Sequence, residues 1–185
     1  MKHIDSTEKV GWLSLDAWSE TYLGAHWIIK NKLPEKPNQA EAVDGALSQM
    51  VLLASHQLVE IMLFGCIRSN LKQSGQLNEV LDEVLKRLSF NEAFNKWPKL
   101  LMGEPFPKKT QPFKAARVLA ARRNATVHSE SALTTLEMAR SALYTGVMAS
   151  RAVQTHFESG PFYYEAALAK YPVEERVWFS EDMYP

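Results

Sequence analysis

The amino-acid sequence predicts an all-α fold, an up-and-down bundle of about five main helices forming one domain over residues 1–185, and three observations lead there. Apolar residues recur at three- and four-residue steps along nearly the whole chain, as amphipathic helices require. No run alternates apolar and polar residues on both sides of hairpin turn chemistry. The 185 residues, 46% hydrophobic and 23% charged, supply one ordinary packed core and would leave two cores small.

The elements follow in order. A first helix is expected over Leu15 to Lys30, with Trp18, Tyr22, Leu23 and Trp27 at helical spacing as core, ended by Leu33, Pro34 and Pro37. Asn38 and Glu41 form a capping-box-like pair that opens a long central helix reaching Asn70. Its expected apolar stripe is Val43, Leu47, Met50, Val51, Leu58, Met62 and Leu63. Gly75 closes this region, and a third helix is expected over Asn78 to Leu88 with Val80, Leu81, Val84 and Leu88 on one side. Asn91 caps a short segment to Leu101, after which Pro105, Pro107 and Pro112 mark the one long loop in the middle of the chain. Pro112 suits the first turn of a fourth helix that runs through Arg123 to His128. A fifth, over Ser131 to His156, turns Leu133, Leu136, Leu143 and Val147 inward, and a short C-terminal helix spans Tyr164 to Tyr171. The bundle core is expected between Ala40 and His156, and the stretch beyond Pro172 has no assignable element.

Charge and cysteine use narrow the setting. The single cysteine, Cys66, sits in an apolar stretch and cannot form an intrachain disulfide, which favours a reducing, cytoplasmic location. No basic and apolar leader opens the sequence, and His56, Gln57 and Glu60 interrupt its most apolar stretch, Met50 to Ile67, so no membrane span is expected. Net charge is zero, but Lys108, Lys109, Lys114, Arg117, Arg122 and Arg123 fall between Pro105 and Ser129 with no acidic residue among them. The chain from Glu158 onward reverses the sign, with Glu158, Glu165, Glu174, Glu175, Glu181 and Asp182 against Lys170 and Arg176. A local basic surface on a neutral protein attracts an anionic ligand, and a solvated helix face produces the same pattern.

Familiar active-site signatures are missing. The chain holds no Gly-rich phosphate loop, no Gly-x-Ser-x-Gly elbow, no His-Glu-x-x-His and no pair of Glu-x-x-His sequences, and one cysteine rules out cysteine-based zinc sites. No metal or cofactor is therefore expected. What stands out is Arg122-Arg123-Asn124-Ala125-Thr126-Val127-His128, at the junction of the fourth and fifth helices. Asn124 and His128 are four residues apart, neighbours on a helix surface, and the same row continues through Ala121, Arg117 and Lys114. Arg123 lies roughly 100° round from Asn124 and reaches that row only through its long side chain.

Arg-Asn-x-x-x-His, standing as Arg123, Asn124 and His128 late in a helical bundle, resembles the signature of the HEPN superfamily, the higher eukaryotes and prokaryotes nucleotide-binding domains. The resemblance implies a HEPN-like bundle, a homodimer that joins two motifs in one cleft, and metal-independent cleavage of RNA, as in toxins and antiviral effectors. It assigns proton transfer to His128, whose ordinary pKa is about 6.5. Arg123 is assigned the phosphate, through a planar fork of donors, and Asn124 the orientation of either group. Lys114, Arg117, Arg122, Lys108 and Lys109 would bind the RNA backbone, with an antitoxin or a nucleotidyltransferase as a further partner. Two other readings stay open: a non-catalytic HEPN module that binds a nucleotide or docks on a partner, and a plain dimerisation bundle in which His128 merely sits favourably at a helix C-terminus. His56 and Glu60, also four apart, either support the cleft from behind or pair with each other in the core, and the core pairing is the expected one.

Overall fold

A computed structural model of the protein describes residues 16–75, 78–128 and 133–184. Within them are seven α-helices and no strand: α1 (Ala17–Asn31), α2 (Ala42–Gln73), α3 (Asn78–Arg87), α4 (Phe90–Met102), α5 (Phe113–His128), α6 (Leu136–Phe157) and α7 (Glu165–Lys170). One-turn 3-10 helices stand at Pro37–Gln39 and Glu181–Met183. The all-α expectation holds. Leu15, Ser129, Ser131 and the Leu81 side chain, named in the sequence reading, lie outside the described residues.

The helix starts are set by side-chain caps. Asp16 accepts the Ser19 N–H at 3.0 Å and opens α1, Ser89 accepts from Glu92 N–H at 3.2 Å and opens α4, and Thr135 accepts from Met138 N–H at 3.2 Å and opens α6. Two expected caps move. Asn38 lies in the 3-10 turn, and the N-cap of α2 is Glu41, three residues later, whose N–H donates to the Asp44 carboxylate at 2.8 Å. Asn91 falls inside α4, one residue past its first position, because Ser89 already satisfies the free N–H groups there.

The bundle is built on α2 and α6, which run in the same direction. At their crossing, Gly146 lies so close to α2 that a Cβ added to it would stand 2.5 Å from the Ser55 carbonyl oxygen. About three turns further along, Cys66 of α2 again lies near the end of α6: burial, and then the charge of Glu158 at the α6 C-cap, push its thiol pKa up to about 12. Three side chains at this seam find partners for their polar groups. Ser55 Oγ donates to the Val51 carbonyl at 2.6 Å, Ser150 Oγ donates to the Gly146 carbonyl at 2.8 Å, and Trp18 Nε1 donates to Ser150 Oγ at 3.2 Å. Trp18 also stacks on Tyr164, ring centroids 4.3 Å apart, which ties α1 and the chain before α7 to the same spot.

The main core joins Trp18, Tyr22, Leu58, Leu63, Ile67, Phe94, Val147 and Val153, and a smaller cluster joins Leu52, Leu119, Met138, Ala142 and Phe179. Phe179 comes from the extended C-terminal segment that the sequence left unassigned; its N–H donates to Thr145 Oγ1 at 3.0 Å. Several expected core residues are exposed instead: Trp27, Val43, Met50, Val80, Val84 and Leu133. In α1 the buried row is Trp18, Tyr22 and Ala25, and Trp27 lies off it with Lys32 Nζ over its ring at 5.1 Å. In α2 the buried row includes Asp44, Ser48 and Ser55, polar positions that an apolar count passes over, which leaves Val43 and Met50 facing outward. Leu133 precedes the start of α6 and turns out to solvent. By length and composition α2 could cross a membrane, and 56% of its most apolar window is buried inside the bundle.

The seam yields a stability test. Gly146→Ala forces backbone apart and should lower stability in urea unfolding by about 1–3 kcal/mol. Gly65→Ala, on the same α2 but with nothing within 4 Å of the added carbon, should raise it by about 0.5–1 kcal/mol.

Candidate functional site

Helix α5 carries a buried set of residues and an exposed row. Phe113, Ala115, Ala116, Leu119 and Thr126 are buried, whereas Lys114, Arg117, Ala121, Asn124 and His128 form an exposed row at three- and four-residue steps, as the sequence predicts. The helix is started by Gln111, whose side-chain oxygen accepts from Ala115 N–H at 3.0 Å, and Pro112 lies just before its first residue.

That row forms one wall of a cleft of about 680 Å³. Lys114, Arg117, Arg123 and Asn124 contribute from α5, Ser89, Phe90, Asn91 and Phe94 from the start of α4, His56 and Glu60 from α2, and Glu181 from the C-terminal 3-10 turn. Arg123 does reach the cleft through its long side chain, and its Nη1 donates to Asn124 Oδ1 at 3.1 Å. Its charge is felt by both α2 residues.

His56 is buried, with its ring edge-on to Phe90 at a centroid distance of 4.5 Å. Burial, and then the neighbouring Arg123 cation, push its pKa down to about 4. Burial pushes the half-buried Glu60 carboxyl up, and Arg123 opposes that rise. With the imidazole neutral at neutral pH, the 3.9 Å between His56 Nδ1 and Glu60 Oε2 is not an ion pair, and it is too long for a hydrogen bond. The two residues belong to the core and the cleft at once: His56 is part of the packed wall, and Glu60 presents an acceptor at its edge.

Other predicted site residues stand elsewhere. His128, the last residue of α5, is exposed and lies on the same row one turn beyond Asn124, outside the cleft walls. Arg122 points to a different side: its guanidinium donates to the Leu133 carbonyl and lies over the Tyr184 ring at 4.6 Å. It fastens the end of α5 to the chain before α6 and to the C-terminal segment. Lys108 and Lys109 sit in the turn ahead of α5, held by Lys108 N–H to the Phe106 carbonyl at 2.9 Å, and do not line the cleft. Among the described residues no three His, Cys, Asp or Glu side chains gather as metal ligands would.

Sequence reasoning missed Phe90 and Glu181 as cleft residues. Phe90 carries no motif, and its one signal was the cap next to it; Glu181 was visible only as part of an acidic stretch.

The depressed His56 pKa makes stability depend on pH. The unfolded chain takes up this proton near pH 6.5 and the folded chain only near pH 4, so stability present above pH 6.5 is lost as pH falls through that window. Urea unfolding at pH 7 and pH 4 should show wild type losing roughly 3 kcal/mol more than His56→Gln. Arg123→Ala should raise the imidazole pKa in an NMR titration.

No protein-family model, curated protein or solved structure matches this chain.

Proposed function

We propose that the protein is a metal-independent endoribonuclease of HEPN type, working as a homodimer, and that its cellular setting is that of a toxin or defence effector. The observation that carries this reading is the α5 row, in which Lys114, Arg117 and Asn124, joined by Arg123, line one cleft and lead to an exposed His128. Phosphate binding fits the first group, and proton transfer the last.

In this reading the RNA 2'-hydroxyl attacks its own phosphorus and the 5'-oxygen leaves, giving a 2',3'-cyclic phosphate. One imidazole takes the 2'-hydroxyl proton and another protonates the departing 5'-oxygen. His128 supplies one of these per chain, so the pair requires two chains meeting at the ends of their α5 helices. Arg123 offsets the charge that builds on the pentavalent phosphorus, in a site shielded on one side by His56 and Phe90. The Asn124 side chain holds the Arg123 guanidinium on the cleft side.

A second reading, a non-catalytic HEPN module binding a nucleotide or docking on a partner such as a nucleotidyltransferase, has one observation in its favour. His128 lies outside the cleft, while the cleft alone has a volume in the range of about 300–1,000 Å³ usual for small ligands.

Purified protein incubated with single-stranded RNA in EDTA separates the two. Cleavage should fall by about 100- to 10,000-fold in His128→Ala and be lost comparably in Arg123→Ala. Undiminished cleavage in His128→Ala would sink the nuclease reading. RNA binding should weaken with salt, and Lys114→Ala or Arg117→Ala should each flatten the log–log slope by about 0.7. Tight, salt-dependent mononucleotide binding with no cleavage supports the second reading.

A further inference from the structure

The cleft has two unlike walls. The α5 side carries Lys114, Arg117 and Arg123, while the α4 side carries the Phe90 ring with Asn91 beside it. Phe90 is half-buried: His56 packs against it at 4.5 Å and Phe94 at 5.5 Å, and the remainder of the ring is cleft surface. A cleft lined by cations from one helix and an aromatic ring from another suits a ligand with an anionic end and a flat apolar end. A nucleotide has both.

Glu60 of α2 lines the same cleft. Its carboxylate has no hydrogen-bond donor within reach on His56, which is neutral and 3.9 Å away, and Arg123 acts on it only through space. A partly desolvated acceptor of this kind is stabilised by a ligand bringing two adjacent N–H groups. Guanine presents N1–H and the N2 amino group side by side on its Watson–Crick edge. Adenine and cytosine each place a ring-nitrogen acceptor next to their amino group, which a carboxylate repels, and uracil flanks its single N–H with carbonyl oxygens.

From this placement we infer that the cleft holds an unpaired guanine, its ring stacked on Phe90, its Watson–Crick edge on Glu60, and its phosphate on Lys114, Arg117 and Arg123. The inference deepens the reading of the α5 wall as a phosphate surface and rests on it. It assigns the preferred substrate as RNA with an exposed guanine, since single-stranded bases are recognised by aromatic stacking and edge hydrogen bonds.

The test measures binding of GMP, AMP, CMP, UMP and inorganic pyrophosphate to the full chain by calorimetry, with no cleavage step involved. GMP should bind roughly 5- to 150-fold more tightly than the other nucleotides, and Glu60→Gln should abolish that margin while leaving pyrophosphate binding in place. Phe90→Leu keeps apolar bulk behind His56, so the variant can fold, and circular dichroism checks that it has; it should weaken all four nucleotides by roughly 5- to 150-fold and leave pyrophosphate unaffected. Equal affinity for the four nucleotides, or a guanine preference that survives Glu60→Gln, overturns the guanine subsite. Pyrophosphate binding with no nucleotide discrimination does so while sparing the phosphate wall. Failure to bind pyrophosphate removes both. Loss of RNA cleavage in the assay above touches neither outcome, so the nuclease chemistry and the base subsite fail independently.

Discussion

Where Gly146 meets Ser55 there is room for a hydrogen and nothing larger, because a Cβ would stand 2.5 Å from a backbone oxygen. The consequence is rotational. With Ser55 pinned against α6, His56 is turned about 100° away from that seam, and Glu60 follows it one turn later on the same side. Both then face α4 and α5 rather than α6. The helix contact that holds the bundle together thus also selects which α2 side chains form the cleft. Serine hydroxyls make the contact tolerable by bonding to carbonyls four residues back, so that close approach leaves Ser55 and Ser150 satisfied.

The same packing decides the charge state of the cleft. A histidine at the His56 position would ordinarily be part-charged near neutral pH, and next to Arg123 that charge would add to an already cationic wall. Burial against Phe90 keeps the ring neutral, with Arg123 reinforcing the effect. His56 is therefore a poor proton acceptor at pH 7, although it is the buried histidine with a carboxylate neighbour that a search for catalytic pairs would pick first. In the proposed ribonuclease the proton-transfer role falls instead to His128, whose imidazole is exposed at the end of α5.

Helical class and most helix ends could be read from the chain, since apolar spacing and capping residues act locally. What could not be read was which apolar residues face inward. Val43 and Met50 look like core by spacing, but the side of α2 that meets its neighbours is marked by Ser48 and Ser55, whose small size matters more than their polarity. The cationic row was legible for a similar local reason: Lys114, Arg117, Asn124 and His128 are held in register by one helix, whatever surrounds it. The opposite wall was not, because Phe90 and Glu181 arrive from distant parts of the chain and their proximity depends on tertiary packing. Arg122 illustrates the limit of reading charge as function. It sits beside Arg123 in sequence, yet one residue of helix turn sends it to Tyr184 and the Leu133 carbonyl.

Removing Arg122, Lys108 and Lys109 from the cleft changes what the site can bind. Three cations remain, Lys114, Arg117 and Arg123, and they face two carboxylates, Glu60 and Glu181. So small an excess of positive charge cannot track a long phosphate backbone, since each neutralised phosphate needs its own cation to release counterions. It suits one phosphate or two. A nucleic-acid ligand of the proposed kind would then draw its remaining affinity from the base, and the surfaces available for that are an aromatic face at Phe90 and an acceptor at Glu60. In the proposed homodimer, joining two such clefts about a two-fold axis would double the cations and bring the α5 ends together, so phosphate binding and the pairing of imidazoles would rise in the same step.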